Sequence, residues 1–278
     1  VPPDPDALAA LVCPDDRQRL ERAADALLCP RCGARFPLRR GIPDFVWGAG
    51  ARTARWRAAQ RYELAWWRRH GAGGREAERA RLAEGAAGVA AVFDETTGRG
   101  WRDCVVHVGP AAHGEIHHLP ARRRFAVEPL APALAELGLL EPGDVTWVAA
   151  MGERLPFADR SVTGALLPNV IDHVADPPGL LAELHRCLAP GAPLWISAHV
   201  TRPSLVPVMT ALGVLRLGYF AGHPWSFSAG QLRDRVERAG FRIVREQPGD
   251  AASANGAAGW RGRLKSRLLS TCYWVAVA

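Results

Sequence analysis

Val105-Val106-His107-Val108-Gly109-Pro110-Ala111-Ala112-His113-Gly114 reads as a short apolar strand that ends in a glycine-bearing turn, with a helix expected from Gly114. Arg124-Phe-Ala-Val127 is a second apolar strand, closed by the carboxylate of Glu128. Four to five apolar residues bounded by turn residues suit a strand buried on both faces, as in a parallel sheet. Downstream the pattern repeats. Residues 131–140 read as helix, 145–149 and 162–167 as strands, and 178–188 as a helix stopped by Pro190-Gly191. Residues 194–198 form a fifth strand. Ser228 caps a helix that runs to Ala239 and ends at Gly240. Residues 241–245 and 272–277 give the sixth and seventh strands, and the last, lacking a helix before it, is expected to pair antiparallel. Strand–helix alternation of this kind specifies an α/β, doubly wound, Rossmann-like sheet.

Upstream the composition changes. Residues 1–48 form a small module with a Cys-x2-Cys pair at Cys29 and Cys32, and Gly33 supplies the tight turn. Residues 49–100 are expected to be a helical connector: 52–69 is rich in Trp and Arg, 76–84 is charged, and neither stretch shows a clean apolar stripe. Such helices cover something rather than form a bundle. The third unit spans 101–278.

Composition bounds the rest. The chain has 278 residues, 48% hydrophobic and 23% charged, which is globular. No apolar run reaches the ~18 residues of a membrane span, no leader stretch is legible, and six cysteines are too few for a disulfide scaffold. A cytoplasmic, reducing setting is the expectation. The net charge of +7 comes almost wholly from arginine, with Lys265 the single lysine. That pattern of use reflects coding bias more than a nucleic-acid partner.

In an open α/β sheet, ligands bind beyond the carboxyl ends of the strands. The candidate binding residues are therefore Gly109, Ala111 and Gly114 after the first strand, Glu128 after the second, Met151, Gly152 and Glu153 after the third, and Pro168 and Asn169 after the fourth. In these motifs the chain resembles the class I S-adenosylmethionine (SAM)-dependent methyltransferases. The resemblance rests on the glycine turn, Glu128, Glu153 ahead of Leu155-Pro-Phe157, the loop Asn169-Val-Ile-Asp-His173, Arg186-Cys-Leu-Ala-Pro190-Gly191 and Ala239-Gly-Phe241. It implies SAM as cofactor, with Glu128 accepting the ribose hydroxyls and Met151 and Glu153 flanking the adenine. One departure is Ala111, where the family carries glycine. Alanine fits there at negative φ and is strained at positive φ.

Residues 8–47 resemble a zinc ribbon, that of the small activator subunit of tRNA and release-factor methyltransferases. The resemblance rests on Cys13-Pro14, Cys29-Pro-Arg-Cys32, Phe36-Pro37 and Gly41-Ile-Pro43. A structural zinc would take Cys13, Cys29 and Cys32, with Asp16 as a carboxylate fourth ligand.

Methyl transfer to a hydroxyl needs a base, and histidine suits neutral pH. His173 follows the fourth strand, His199 is expected just past the fifth, and His223 lies in a turn-rich segment. Residues 200–227, which include Leu205, Val208, Met209, Tyr219 and Phe220, are expected to lid an organic substrate. The leading expectation is methyl transfer to a hydroxyl of a small metabolite or sugar. An RNA or protein acceptor engaged by the ribbon, and a fold relative that has lost methyl transfer, remain open.

Overall fold

A computed structural model of the chain describes residues 5–46, 54–71, 73, 75–141, 143–215, 223–248 and 269–278. The N-terminal module holds a short helix, α1 (Pro5–Leu8), and four strands: β1 (Glu21–Arg22), β2 (Ala26–Leu28), β3 (Arg35–Arg39) and β4 (Ile42–Pro43). They form an antiparallel sheet in sequence order. Two helices follow, α2 (Ala54–His70) and α3 (Arg75–Thr97).

The rest alternates as expected: β5 (Cys104–Val108), β6 (Arg123–Val127), α4 (Ala131–Glu136), β7 (Thr146–Val148), β8 (Gly164–Pro168), α5 (Pro177–Cys187), β9 (Pro193–Thr201), α6 (Val206–Val214), α7 (Ala229–Arg238), β10 (Arg242–Pro248) and β11 (Leu269–Val277). The seven-stranded sheet runs β10-β11-β9-β8-β5-β6-β7. The five strands from β9 through β8, β5 and β6 to β7 make four parallel pairs, while β11 pairs antiparallel with both β9 and β10. The Ser228 cap forms a full capping box with Gln231.

Three expectations needed correction. The helix from Gly114 is a single 3-10 turn, Glu115–His118. Pro120 follows so soon that only Ile116 and Leu119, three apart, are buried. The space of that missing helix is filled by α3, which extends to Thr97 rather than stopping near Glu84. Its apolar stripe, Ala86-Val89-Phe93, lies beyond residue 84 and packs on Val105, Ile116 and Leu166. The helix expected over 131–140 ends at Glu136, because Gly138 turns the chain at φ +66°.

The ribbon-like module shares the core of the large sheet. Leu11, Leu27, Phe36 and Phe45 sit in one buried cluster with Val106, Phe125, Phe157 and Leu181. Backbone pairing seats it there. The Phe45 N–H donates to the Ala149 carbonyl (2.8 Å), and the Ala149 N–H to the Pro43 carbonyl (2.9 Å). Leu11 bridges Phe157 antiparallel, and Arg154 pairs with Asp15. No described helix is long and apolar enough to cross a membrane.

Candidate functional site

The carboxyl ends of β5, β6, β7 and β8 open on one cavity of about 380 Å³, within the usual range of small-ligand sites. Each loop that lines it has a local reason for its shape. Gly109 has φ +70°, and a Cβ there would lie 2.5 Å from a Val170 methyl, so only glycine lets the β5 turn meet the loop after β8. Gly152 is equally tight, with Leu180 2.5 Å from the position of a Cβ. Asn169 takes φ +53°, which asparagine tolerates, and its N–H donates to the Ser197 carbonyl at 2.7 Å.

Glu128 is buried at the cavity floor. Its two oxygens accept the N–H groups of Ala111 (3.1 Å) and Leu130 (2.9 Å). Burial pushes its carboxyl up to about 7, and the nearby Glu63 adds to the rise against those two hydrogen bonds. Glu153 Oε1 accepts from Ala175 (2.7 Å) and Asp176 (3.1 Å), which ties the loop after β7 to the start of α5.

Ala111 has φ +53°, the strained alternative. The left-handed region costs an L-residue roughly 1–2 kcal/mol. Here it aims the Ala111 N–H at Glu128.

A polar cluster stands opposite. His223 Nδ1 and Asp172 Oδ2 are 2.7 Å apart. His173 lies between two carboxylates, Nε2 at 3.8 Å from Asp172 and Nδ1 at 3.6 Å from Glu63. The rings of His173 and His223 are 4.2 Å apart. Burial pushes Asp172 up, but His173 and the His223 hydrogen bond outweigh it and hold the carboxyl at about 2. Trp225 pins the His223 segment in place by donating from its indole to the Val174 carbonyl at 2.8 Å. Asp172, His173 and His223 place their donor atoms within 4.8 Å of one another, a spacing a metal ion could also use.

Of the expected binding residues, Gly109, Ala111, Glu128, Met151, Gly152, Glu153 and Asn169 line the cavity, as do His173 and His223. Gly114 and Pro168 do not. Gly114 packs against the buried His107, and Pro168 is the last residue of β8. His199 lies inside β9 rather than past it, because β9 runs on to Thr201 in register with β11. Its Nδ1 is 3.3 Å from the Thr271 hydroxyl. The described part of the 200–227 segment contributes only His223 to the cavity wall, and Tyr219 and Phe220 lie outside the described residues.

The cover comes instead from α2, through Trp56, Gln60, Tyr62, Glu63, Trp66 and Trp67. The sequence marked this helix as a cover, but Glu63 and Gln60 were not singled out. The 56-60-63-67 spacing was the available signal. In the ribbon, Cys13, Asp16, Cys29 and Cys32 bring their donor atoms within 4.8 Å of one another, with the sulfurs of Cys13 and Cys32 3.7 Å apart. Three sulfurs and one carboxylate on a tight turn fit a tetrahedral zinc.

A family model described as "Methyltransferase domain" matches residues 102–246, and one described as "Trm112p-like protein" matches residues 4–41. The chain belongs to the methyltransferase-domain family. A curated relative, the N,N-dimethyltransferase OxyT of Streptomyces rimosus, is 34% identical over 136 residues. That match takes in 48% of this chain and 37% of OxyT, so the chain spans well under half the length of this relative. Among solved structures, the [4+2]-cyclase SpnF aligns with a TM-score of 0.51 at 15% identity over 80% of this chain and 95% of its own. A Haloferax volcanii complex of the Trm112 methyltransferase activator aligns at 0.50 with 17% identity, over 72% and 96%. At such identities these two likenesses show the fold.

The strain at Ala111 can be measured. Ala111→Gly should relieve the left-handed penalty and give back part of it as chain entropy, a net gain of about 0.5–1 kcal/mol in urea unfolding. A loss of stability would mean that the Ala111 methyl packs usefully.

Proposed function

We propose that the chain transfers a methyl group from SAM to a small organic acceptor bound between the strand ends and α2. The observation that carries this is the make-up of the cavity. Three carboxylates and two imidazoles line it among tryptophans, and no Arg or Lys does so among the described residues. A phosphate-rich acceptor such as RNA needs cations at the point of contact.

Glu128 and the Gly109–Ala111 turn would hold the cofactor. A buried carboxylate with lone pairs to spare suits two ribose hydroxyls, and the turn lets the cofactor approach the backbone closely. When bound, SAM supplies an electrophilic methyl carbon whose bonding pair stays with sulfur. Met151 and Glu153, which line the same cavity, would bound the adenine. His173 takes the proton that the acceptor gives up as its lone pair forms the new bond, and Asp172, with His223 behind it, stabilises the resulting imidazolium. The acceptor atom is a hydroxyl, or an amine as the name of OxyT states for that relative.

The decisive test is an acceptor screen for a 14-dalton mass gain, roughly one CH₂, followed by kinetics on three variants. His173→Ala should lower turnover about 10²–10⁴-fold with S-adenosylhomocysteine affinity unchanged, whereas His199→Ala should alter turnover little. Near-normal turnover in His173→Ala would remove its assignment as base.

The Glu128 assignment has a pH signature. Its carboxyl titrates near 7 in the free protein, and ribose hydroxyls prefer the ionised form. S-adenosylhomocysteine should therefore bind more weakly as pH falls from 8 to 6, and binding near pH 7 should release protons to the buffer. Glu128→Gln should flatten that dependence and cost at least about tenfold in affinity. A pH-independent affinity in the unmodified protein would argue for another ribose ligand.

The ribbon cluster is proposed to hold one structural zinc. Metal analysis should find about one zinc per chain, lost in Cys32→Ser with cofactor affinity retained. A metal-free protein with a protease-resistant N-terminus would show that the shared core suffices.

A further inference from the structure

The inward stripe of α2 has an unusual composition for a helix face over a cavity. Trp56, Gln60, Glu63 and Trp67 follow one another at helical spacing, and two of the four are polar. Trp66 stands beside them at the mouth and is 41% exposed although it lines the cavity. It meets Trp67 edge-on at 5.1 Å and stacks on His70 at 4.9 Å. The helix lies in neither matched segment, since these cover residues 4–41 and 102–246.

Charge sets the choice of occupant. The chain carries a net +7, yet the cavity gathers Glu63, Glu128 and Glu153 and no Arg or Lys among its described lining. Glu128 faces the glycine turn, and Glu153 is tied to the start of α5. Glu63 alone of the three is carried by the covering helix, and it faces His173. A carboxylate set among indoles is the chemistry that recognises an organic cation: the acid offers charge pairing, and the ring faces offer their negative quadrupole.

We propose that α2 is the acceptor-selecting element and that its Glu63–tryptophan face selects a protonatable amine carried on an aromatic or apolar body. This deepens the small-acceptor reading and rests on it. Glu63 holds the ammonium form at the mouth. The amine's extra proton must leave before its lone pair can attack, and His173, 3.6 Å from Glu63, is placed to receive it. Burial raises the Glu63 carboxyl above its ordinary range, so pairing with a cation would also relieve an unfavourable ionisation.

The test uses the full chain saturated with S-adenosylhomocysteine and follows tryptophan fluorescence. N,N-dimethylbenzylamine, benzyl alcohol and benzoate share one ring and differ in charge. The amine should bind at least about tenfold more tightly than the alcohol, and benzoate should bind most weakly. Glu63→Gln, nearly isosteric, should erase the preference for the amine while leaving affinity for the alcohol and for S-adenosylhomocysteine in place. Trp66→Leu should weaken amine and alcohol alike. Equal affinity for amine and alcohol, or a preference that survives Glu63→Gln, would overturn the proposal while cofactor binding still supports a methyltransferase. Failure of S-adenosylhomocysteine to bind at all would instead bring down the reading beneath it.

Discussion

The site depends on one close approach, that of the Gly109 backbone to the side chain of Val170. With a Cβ position 2.5 Å from a methyl carbon, the turn after β5 admits no side chain. That contact brings the loop after β8 against the loop after β5. The first carries Asn169, Asp172 and His173, and the second carries Ala111 and its hydrogen bond to Glu128. Both polar groups of the cavity, the buried acid and the histidine cluster, therefore take their spacing from one missing side chain. The rest of the fold supplies rigidity behind it: α3 fills one face of the sheet, and the ribbon, α5 and α7 fill the other.

Much of this was legible in the residues. Short apolar strands ending in glycine or acid gave the parallel sheet, and Ser228 marked a helix start that the structure forms as a full capping box with Gln231. What escaped did so for physical reasons. The length of α3 was hidden by Gly85 and Gly88, which lower local helix propensity but are outweighed by the packed stripe of Ala86, Val89 and Phe93. His199 was placed on the wrong side of a strand end because β9 is extended by pairing with β11, which is remote in sequence. Glu63 was missed because a stripe that mixes Trp, Gln and Glu does not register as an apolar face, although its period is that of a helix.

Asp172, beside the cavity, and Glu128, at its floor, show how differently one site treats two buried carboxyls. Both lose water. Asp172 is paid back by two imidazoles and stays ionised, whereas Glu128 meets only backbone N–H groups and another acid, and its carboxyl rises to about 7. A ligand that brings hydroxyl donors or positive charge thus has more to offer Glu128 than Asp172.

The backbone pairing of Phe45 with Ala149 has a consequence for dosage. A cover supplied by a separate protein occupies its place only as far as the concentrations of the two chains allow. Here the Trm112-like segment and the sheet are parts of one polypeptide, and a tether of this kind presents its partner at an effective concentration on the order of millimolar. Occupancy of the β7 edge is then indifferent to expression level or dilution. A strand edge that would otherwise be open to a foreign strand is closed in every copy of the molecule.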